Sequence, residues 1–200
     1  MNKPLFVTGI GTGIGKTVVS AVLVESLKAD YWKPVQSGDL DNSDTLYVQS
    51  LVSNTKTVFH PEAYRLTQPY SPHKSAALDG IEIDPATIKV PQTDNTLIVE
   101  GAGGLMVPLN RTFLMIDLIQ QLNAEVILVV KHYLGSINHT LLTLEALHSR
   151  NIPIKTLIFN GEPNESSEDV IMNFARCKTL YIPDIKEITK ANIAGIKIDL

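Results

Sequence analysis

The stretch Phe6-Val-Thr-Gly-Ile-Gly-Thr-Gly-Ile-Gly-Lys-Thr17 constrains this chain more than any other. An apolar run from Leu5 to Val7 gives way to glycines at alternate positions, Gly9, Gly11, Gly13 and Gly15, then to Lys16-Thr17 and an amphipathic segment. That order predicts a buried strand, a phosphate-cradling loop and a helix. Glycines let backbone N–H groups turn inward around phosphate oxygens, and the helix start adds unpaired amides and the positive end of its dipole. Lys16 then neutralises the outer phosphates, and Thr17 places a hydroxyl on the accompanying Mg²⁺. The usual G-x-x-x-x-G-K-[ST] spacing asks for glycine at position 10, where this chain has Ile10, and Gly9 makes the loop longer. A merely glycine-rich turn does not account for Gly-Lys-Thr between a buried strand and a helix.

The chain has 200 residues, 44% hydrophobic and 19% charged, which suits a single domain over 1–200 with a full core. Its formal net charge of −4 leaves no whole-chain electrostatic footprint for nucleic acid or an anionic membrane. The expected partners are small molecules. The lone cysteine, Cys177, cannot form an internal disulfide; it reads as a small apolar residue on a helix in a reducing compartment. Met1-Asn-Lys-Pro-Leu passes straight into the first strand, and no run approaches the ~18 apolar residues that span a bilayer. The expected location is cytoplasmic.

Along the chain, helical spacing predicts a helix over 16–28. Tyr31-Trp32 leads a second strand ending at Lys33-Pro34-Val35, with Pro34 closing regular pairing and Lys33 near the carboxyl edge of the sheet, where open α/β folds bind ligands. Ser43 reads as the cap of a helix from Asp44 to Leu51. Residues 53–70 carry few periodic apolar positions and read as mostly irregular. Ser71-Pro72 and Asp84-Pro85 each resemble an N-cap followed by proline, the first starting a helix to Leu78. Thr96 to Glu100 reads as a buried strand ending in a carboxylate and followed by a glycine-rich turn. Further helices are expected over Phe113–Leu122, Asn138–Arg150 and Ser166–Cys177, and further strands over Val126–Val130, Ile154–Phe159 and Leu180–Ile182. The alternation calls for a parallel sheet covered by helices on both faces.

Thr17, Asp44 and Glu100 form a candidate magnesium set, since Mg²⁺ prefers hard oxygens and is held by one or two carboxylates plus phosphate and water. Asp44 taken alone also suits a surface residue complementing a helix dipole. Lys33 is a candidate for charge stabilisation on the acceptor side of phosphoryl transfer, opposite Lys16. His73 and His139 stand without ligand spacing and read as satisfied surface histidines.

Thr8-Gly-Ile-Gly-Thr-Gly-Ile-Gly-Lys-Thr17, Lys33-Pro-Val-Gln-Ser-Gly38, Asn42-Ser-Asp44, Ser71-Pro-His73, Glu100-Gly-Ala-Gly-Gly104 and Gly135-Ser-Ile-Asn-His139 follow one another in the order and spacing of the dethiobiotin synthetase family. The chain resembles that family over nearly its whole length, more weakly after residue 160. The resemblance implies a three-layer, P-loop NTPase-type α/β fold and an ATP-dependent ligase of biotin synthesis. In this family CO₂ adds to one amine of 7,8-diaminononanoate, ATP phosphorylates the carbamate, and the second amine closes the ring. It also implies roles. Lys33 and Lys16 are catalytic; Thr12, Lys33 and Ser37 contact substrate; Thr17, Asp44 and Glu100 hold Mg²⁺. Gly13, Ile14, Gly15, Lys16, Thr17 and Val18 bind nucleotide with Asp44, Glu100, Gly101, Ala102 and Gly103, while Asn160, Gly161, Pro183, Asp184 and Ile185 lie at the base. Family members are homodimers in which Gly135, Ser136, Ile137 and Asn138 of one subunit receive the substrate carboxylate bound mainly by the other. The chain departs from the family's usual loop at Ile10 and Gly11, where Thr and Asp are common, and at Gly161, where aspartate is frequent.

A different expectation is a nucleotide-switched dimeric ATPase acting on a protein partner. Such proteins commonly carry a lysine before a double glycine in the loop, and Ile10-Gly11-Thr12 lacks it. A simple small-molecule kinase is a further option, but no stretch reads as a mobile lid.

Overall fold

A computed structural model describes residues 3–200. Met1 and Asn2, part of the expected lead-in to the first strand, lie outside the described residues. The architecture grows around β1 (Leu5–Gly9), whose residues are all buried. An apolar strand buried on both faces suits the interior of a parallel sheet. Here it lies between β6 (Leu97–Gly104) and β7 (Glu125–Val130). With β2 (Asp30–Trp32), β4 (Phe59–His60), β8 (Ile154–Asn160) and β9 (Lys178–Ile182), they form a parallel seven-stranded sheet of order β4-β2-β6-β1-β7-β8-β9. The strand order reverses at β1, and the crevice at its carboxyl end is where such sheets bind ligands.

Alternation along the strands sorts the core into two layers. Leu5, Val7, Ile98, Ile127, Val129 and Ile158 face α1 (Lys16–Leu27), α2 (Asp44–Leu51) and α7 (Lys190–Gly195). Phe6, Leu97, Val99, Val126, Leu128 and Leu157 face α4 (Met115–Gln121), α5 (Ser136–Ser149) and α6 (Glu165–Ala175). A short sheet of β3 (Val35–Ser37) and β5 (Tyr64–Leu66), with α3 (Pro72–Leu78), overhangs the carboxyl edge beside the cleft. Among the described residues no helix is long and apolar enough to cross a membrane.

Several expectations change. Residues 53–70 hold β4 and β5, strands of two and three residues whose pairing with β2 and β3 is remote in sequence and too short to show alternation. The second expected strand is divided at Lys33-Pro34 into β2 and β3, in different sheets. Gly101–Gly104 is no turn: β6 runs through it, and Gly104 pairs with Gly9 across a register shift. Cys177 lies beyond the end of α6, half-buried before β9. The segment after Pro183 carries α7, whose Ile193 is fully buried in the core layer shared with α1.

Glu25 on α1 ties that helix to the loop after α2, accepting from the Ser53 and Asn54 amides at 2.7 and 3.0 Å and from the Ser53 hydroxyl at 2.8 Å. Burial acts to raise its carboxyl, but these bonds outweigh it and hold the group below its ordinary value. The stability this supplies is present above the unfolded carboxyl range and is lost as pH falls through the depressed folded value. Glu25→Ala should therefore cost about 1 kcal/mol at pH 7, after discounting for solvent exposure. The gap between urea melts of the two proteins should narrow as pH is lowered through the acid range, and a gap that stays undiminished throughout would contradict the account.

Candidate active site

The loop from Gly9 to α1 is shaped by particular glycines. Gly13 and Gly15 have φ of +74° and +87°, the left-handed region that disfavours side chains. Gly11 needs no such freedom: a Cβ there would meet only the Tyr133 hydroxyl, at 4.0 Å. Gly15 stands as N-cap of α1, and its carbonyl accepts the Val19 amide at 3.0 Å. Lys16 folds back over the loop and donates to the Gly11 carbonyl at 2.9 Å. Burial brings its ammonium down to about 8, and the Lys33 charge adds to that effect against Glu100 and Asp44.

Thr17, in the first turn of α1, sets its hydroxyl 2.9 Å from Glu100 Oε1 and 3.2 Å from Asp44 Oδ1. Lys33 Nζ bridges the same two carboxylates, 2.5 Å from Asp44 Oδ2 and 3.2 Å from Glu100 Oε1. Burial alone would lower this ammonium, but Glu100 and Asp44 together hold it above its ordinary value. Asp44 reaches the site because Ser43 caps α2, accepting the Leu46 amide, while Gln36 Oε1 accepts the Asp44 amide at 3.2 Å. Behind Glu100, the fully buried Tyr31 donates its phenol to Oε2 at 3.0 Å. Burial and then the Glu100 charge push that phenol well above its ordinary value, so it stays a donor. The Ser37 hydroxyl is buried with no protein partner.

Lys16, Thr17, Lys33, Gln36, Ser37, Asp44 and Glu100 line one cleft of about 680 Å³, with Tyr31 behind its wall. Of the residues expected from sequence, it gathers Thr12, Gly13, Gly15, Lys16, Thr17, Val18, Lys33, Ser37, Asp44, Glu100, Gly101, Ala102 and Gly103. Ile14 is turned into the core, where a Cβ on Gly9 would strike it. Asn160 lies over the loop and donates to the Ile14 carbonyl at 2.9 Å, and the Gly161 amide donates to the Ile182 carbonyl beside Pro183, Asp184 and Ile185. Gly135, Ser136, Ile137 and Asn138 are not in the cleft. They line a separate cavity of about 800 Å³ at the start of α5, with Tyr133 hydrogen-bonded to His139 at 2.8 Å nearby.

Sequence reasoning placed Gln36 on the rim without a role, and missed Tyr31 behind Glu100 and the wall formed by Pro69, Tyr70 and Pro72. Tyr31 and Gln36 offered only strand alternation as a signal, and nothing in it distinguishes a core tyrosine from one that meets a carboxylate. Ser71-Pro-His73 pointed to the wall without saying that it faces the loop.

Two carboxylates, a hydroxyl and two ammoniums converge at the start of a helix that follows a glycine loop, at the crevice of a parallel sheet. This arrangement defines a P-loop nucleotide-binding protein. A family model described as an AAA domain matches residues 3–192. Among solved structures, a ParA family ATPase from Chlorobium tepidum superposes with a TM-score of 0.60 at 14% identity, covering 96% of this chain and 98% of that one. The ATP-dependent dethiobiotin synthetase BioD of Christiangramia forsetii is 52% identical over 180 residues, 90% of this chain and 86% of that protein. The protein of the same name from Cytophaga hutchinsonii is 48% identical over 200 residues, 99% of this chain and 97% of that one. The chain belongs to the ATP-dependent dethiobiotin synthetase family.

The two left-handed glycines differ in one testable way. A Cβ on Gly13 meets nothing within 4 Å, whereas one on Gly15 lies 2.2 Å from the Asn160 amide nitrogen. Gly13→Ala should cost about 1 kcal/mol of stability from the backbone alone. Gly15→Ala should cost about 1 kcal/mol more, because the Asn160 bond to Ile14 is lost. In an Asn160→Ala background the two glycine variants should show equal urea midpoints, and a persisting gap would mean that the tether is not the cause.

Proposed function

We propose that this chain forms dethiobiotin from 7,8-diaminononanoate, CO₂ and ATP, and that the cleft between the glycine loop and the β3–β5 overhang is where the ring closes. The observation that carries the reading is the buried Lys33 ammonium held between Asp44 and Glu100 beside Thr17 and Lys16, in a chain of this family. One amine of the substrate adds to CO₂ and loses a proton, giving a carbamate. A carbamate oxygen attacks the γ-phosphorus of ATP and ADP departs. The second amine attacks the carbonyl of the mixed anhydride, the C–O bond to phosphate breaks, and the ureido ring and inorganic phosphate result.

Each step brings anions together, so the protein's work is positioning and charge neutralisation. Lys16 serves the ATP phosphates, and Lys33 contacts the carbamate and the phosphoryl group in flight. Thr12 and the unpartnered Ser37 hydroxyl orient the diamine end. Among the described residues no group of three or more His, Cys, Asp or Glu is placed to hold a metal ion by itself. Two carboxylates and a hydroxyl fit a cation that takes its remaining ligands from phosphate and water, which is Mg²⁺. Thr17, Asp44 and Glu100 would hold it, and it would draw charge from the phosphate oxygens. Asn160, Gly161, Pro183, Asp184 and Ile185 receive the base. The protein works as a cytoplasmic homodimer, in which Gly135, Ser136, Ile137 and Asn138 take the carboxylate of substrate bound mainly by the partner subunit. A helix start suits that anion, and the exposed Leu134, just before it, gives that end of α5 an apolar neighbour.

The test is Mg-ATP turnover with and without diaminononanoate and bicarbonate, with the organic product read by mass spectrometry. ADP release that requires the diamine, with a product carrying one added carbonyl, is the expected result. Hydrolysis indifferent to the diamine would favour the partner-acting ATPase instead. Lys33→Ala should lower kcat by about 10² or more with the fold intact, because a transition-state charge contact is lost. A variant with normal turnover would remove Lys33 from the mechanism.

A further inference from the structure

Glu100 uses its two carboxylate oxygens for different purposes. Oε1 faces the cleft, 2.9 Å from the Thr17 hydroxyl and 3.2 Å from Lys33 Nζ. Oε2 points into the protein and accepts from Tyr31 at 3.0 Å. Both residues are almost without solvent contact, Glu100 at 1% exposure and Tyr31 at 0%. Tyr31 stands on β2 and pairs in register with Ile98 of β6, so its phenol reaches along the neighbouring strand to the carboxylate at position 100. Its ring is held from the other side by Phe59 of β4, with centroids 6.0 Å apart. The phenol donates to no other group among the described residues, and that oxygen of Glu100 has no other donor.

We propose that Tyr31 is a positioning residue for the metal site: its hydroxyl locks the rotation of the Glu100 carboxylate so that Oε1 is presented to the cleft beside Thr17 and Asp44. The inference rests on the reading of Glu100 as a Mg²⁺ ligand. A carboxylate turns readily about its last torsion when only one oxygen is engaged. Anchoring Oε2 from behind removes that freedom before any cation arrives, which is the usual office of an outer partner at a metal site. Tyr31 itself touches neither nucleotide nor substrate. Removing its hydroxyl leaves Oε2 buried without a partner, and the carboxylate then turns toward Lys33 and Thr17 to satisfy it.

Mn²⁺ serves as the probe, with free ion read by electron paramagnetic resonance as it is titrated into the protein with saturating ADP. Tyr31→Phe should weaken Mn²⁺ binding about tenfold, while ADP affinity in EDTA and the KM for the diamine stay within about twofold of the parent protein. Phe59→Leu loosens the packing of the Tyr31 ring but keeps its hydroxyl, and should leave the Mn²⁺ curve in place. Superimposable curves for Tyr31→Phe and the parent would overturn the proposal, as would an equal loss in Phe59→Leu, which would assign the effect to packing. Glu100→Gln separates this proposal from the reading beneath it. If that variant binds Mn²⁺ normally, Glu100 is not a ligand and the metal assignment falls. If it binds weakly, adding Tyr31→Phe should cause little further loss, and full additivity of the two would show that Tyr31 acts elsewhere.

Discussion

Keeping Glu100 charged where almost no water reaches it is the constraint on which the site depends. A carboxylate at 1% exposure is costly unless its oxygens are hydrogen-bonded and a countercharge lies close. The partners come from three parts of the chain: Tyr31 from β2, Lys33 from the connection to β3, and Thr17 from α1. Lys33, itself buried, needs more than one carboxylate, and Asp44 supplies the second from α2. Removing Lys33 or a carboxylate leaves another group with less countercharge, and removing Tyr31 or Thr17 leaves a Glu100 oxygen short of a donor, so the cluster stands as a unit. Its pairwise strengths are therefore not additive.

The sheet order serves this cluster directly. Placing β6 between β2 and β1 brings Glu100, midway along β6, beside Tyr31 and Thr17. The division of the second strand at Pro34 matters as much. The register that sets Trp32 opposite Val99 brings Lys33, one residue on, beside Glu100. Beyond it β3 leaves to pair with β5, and Ser37 is carried over the cleft.

Much of this was legible in the residues. The run from Leu5 to Lys16 announced a strand, a loop and a helix because each signal is local: burial on both faces, glycines, then helical spacing. Asp44 was legible as a residue in a capped first turn, and Glu100 as an acid following an apolar run, both local matters, although Glu100 stands midway along β6 and not at its end. What escaped was non-local. β4 and β5 hold two and three residues and owe their existence to partners far away in sequence. Gly101–Gly104 looked like a turn because glycine weakens strands, but its close approach to Gly9 and Phe6 makes the absence of side chains the reason β6 can continue. Tyr31 looked like any core aromatic, and only the register of β2 on β6 gives its hydroxyl a partner.

The separation of the two cavities bears on the substrate. A diamino acid carries its amines at one end and a carboxylate at the other, with an apolar chain between them. The cleft by Lys33 is rich in charge and suits the amine end and the phosphates. The cavity at the start of α5 offers backbone amides beside Tyr133 and the exposed Leu134, which suits a carboxylate following an apolar chain. Both open at the carboxyl edge of the sheet, but on opposite sides of β1, since β6 and β2 flank the first and β7 leads to the second. One extended ligand bridging them within a subunit would have to pass over the glycine loop, the proposed seat of the ATP phosphates. In the proposed homodimer a two-fold relation would remove that conflict, if each cleft faced the α5 start of the other subunit.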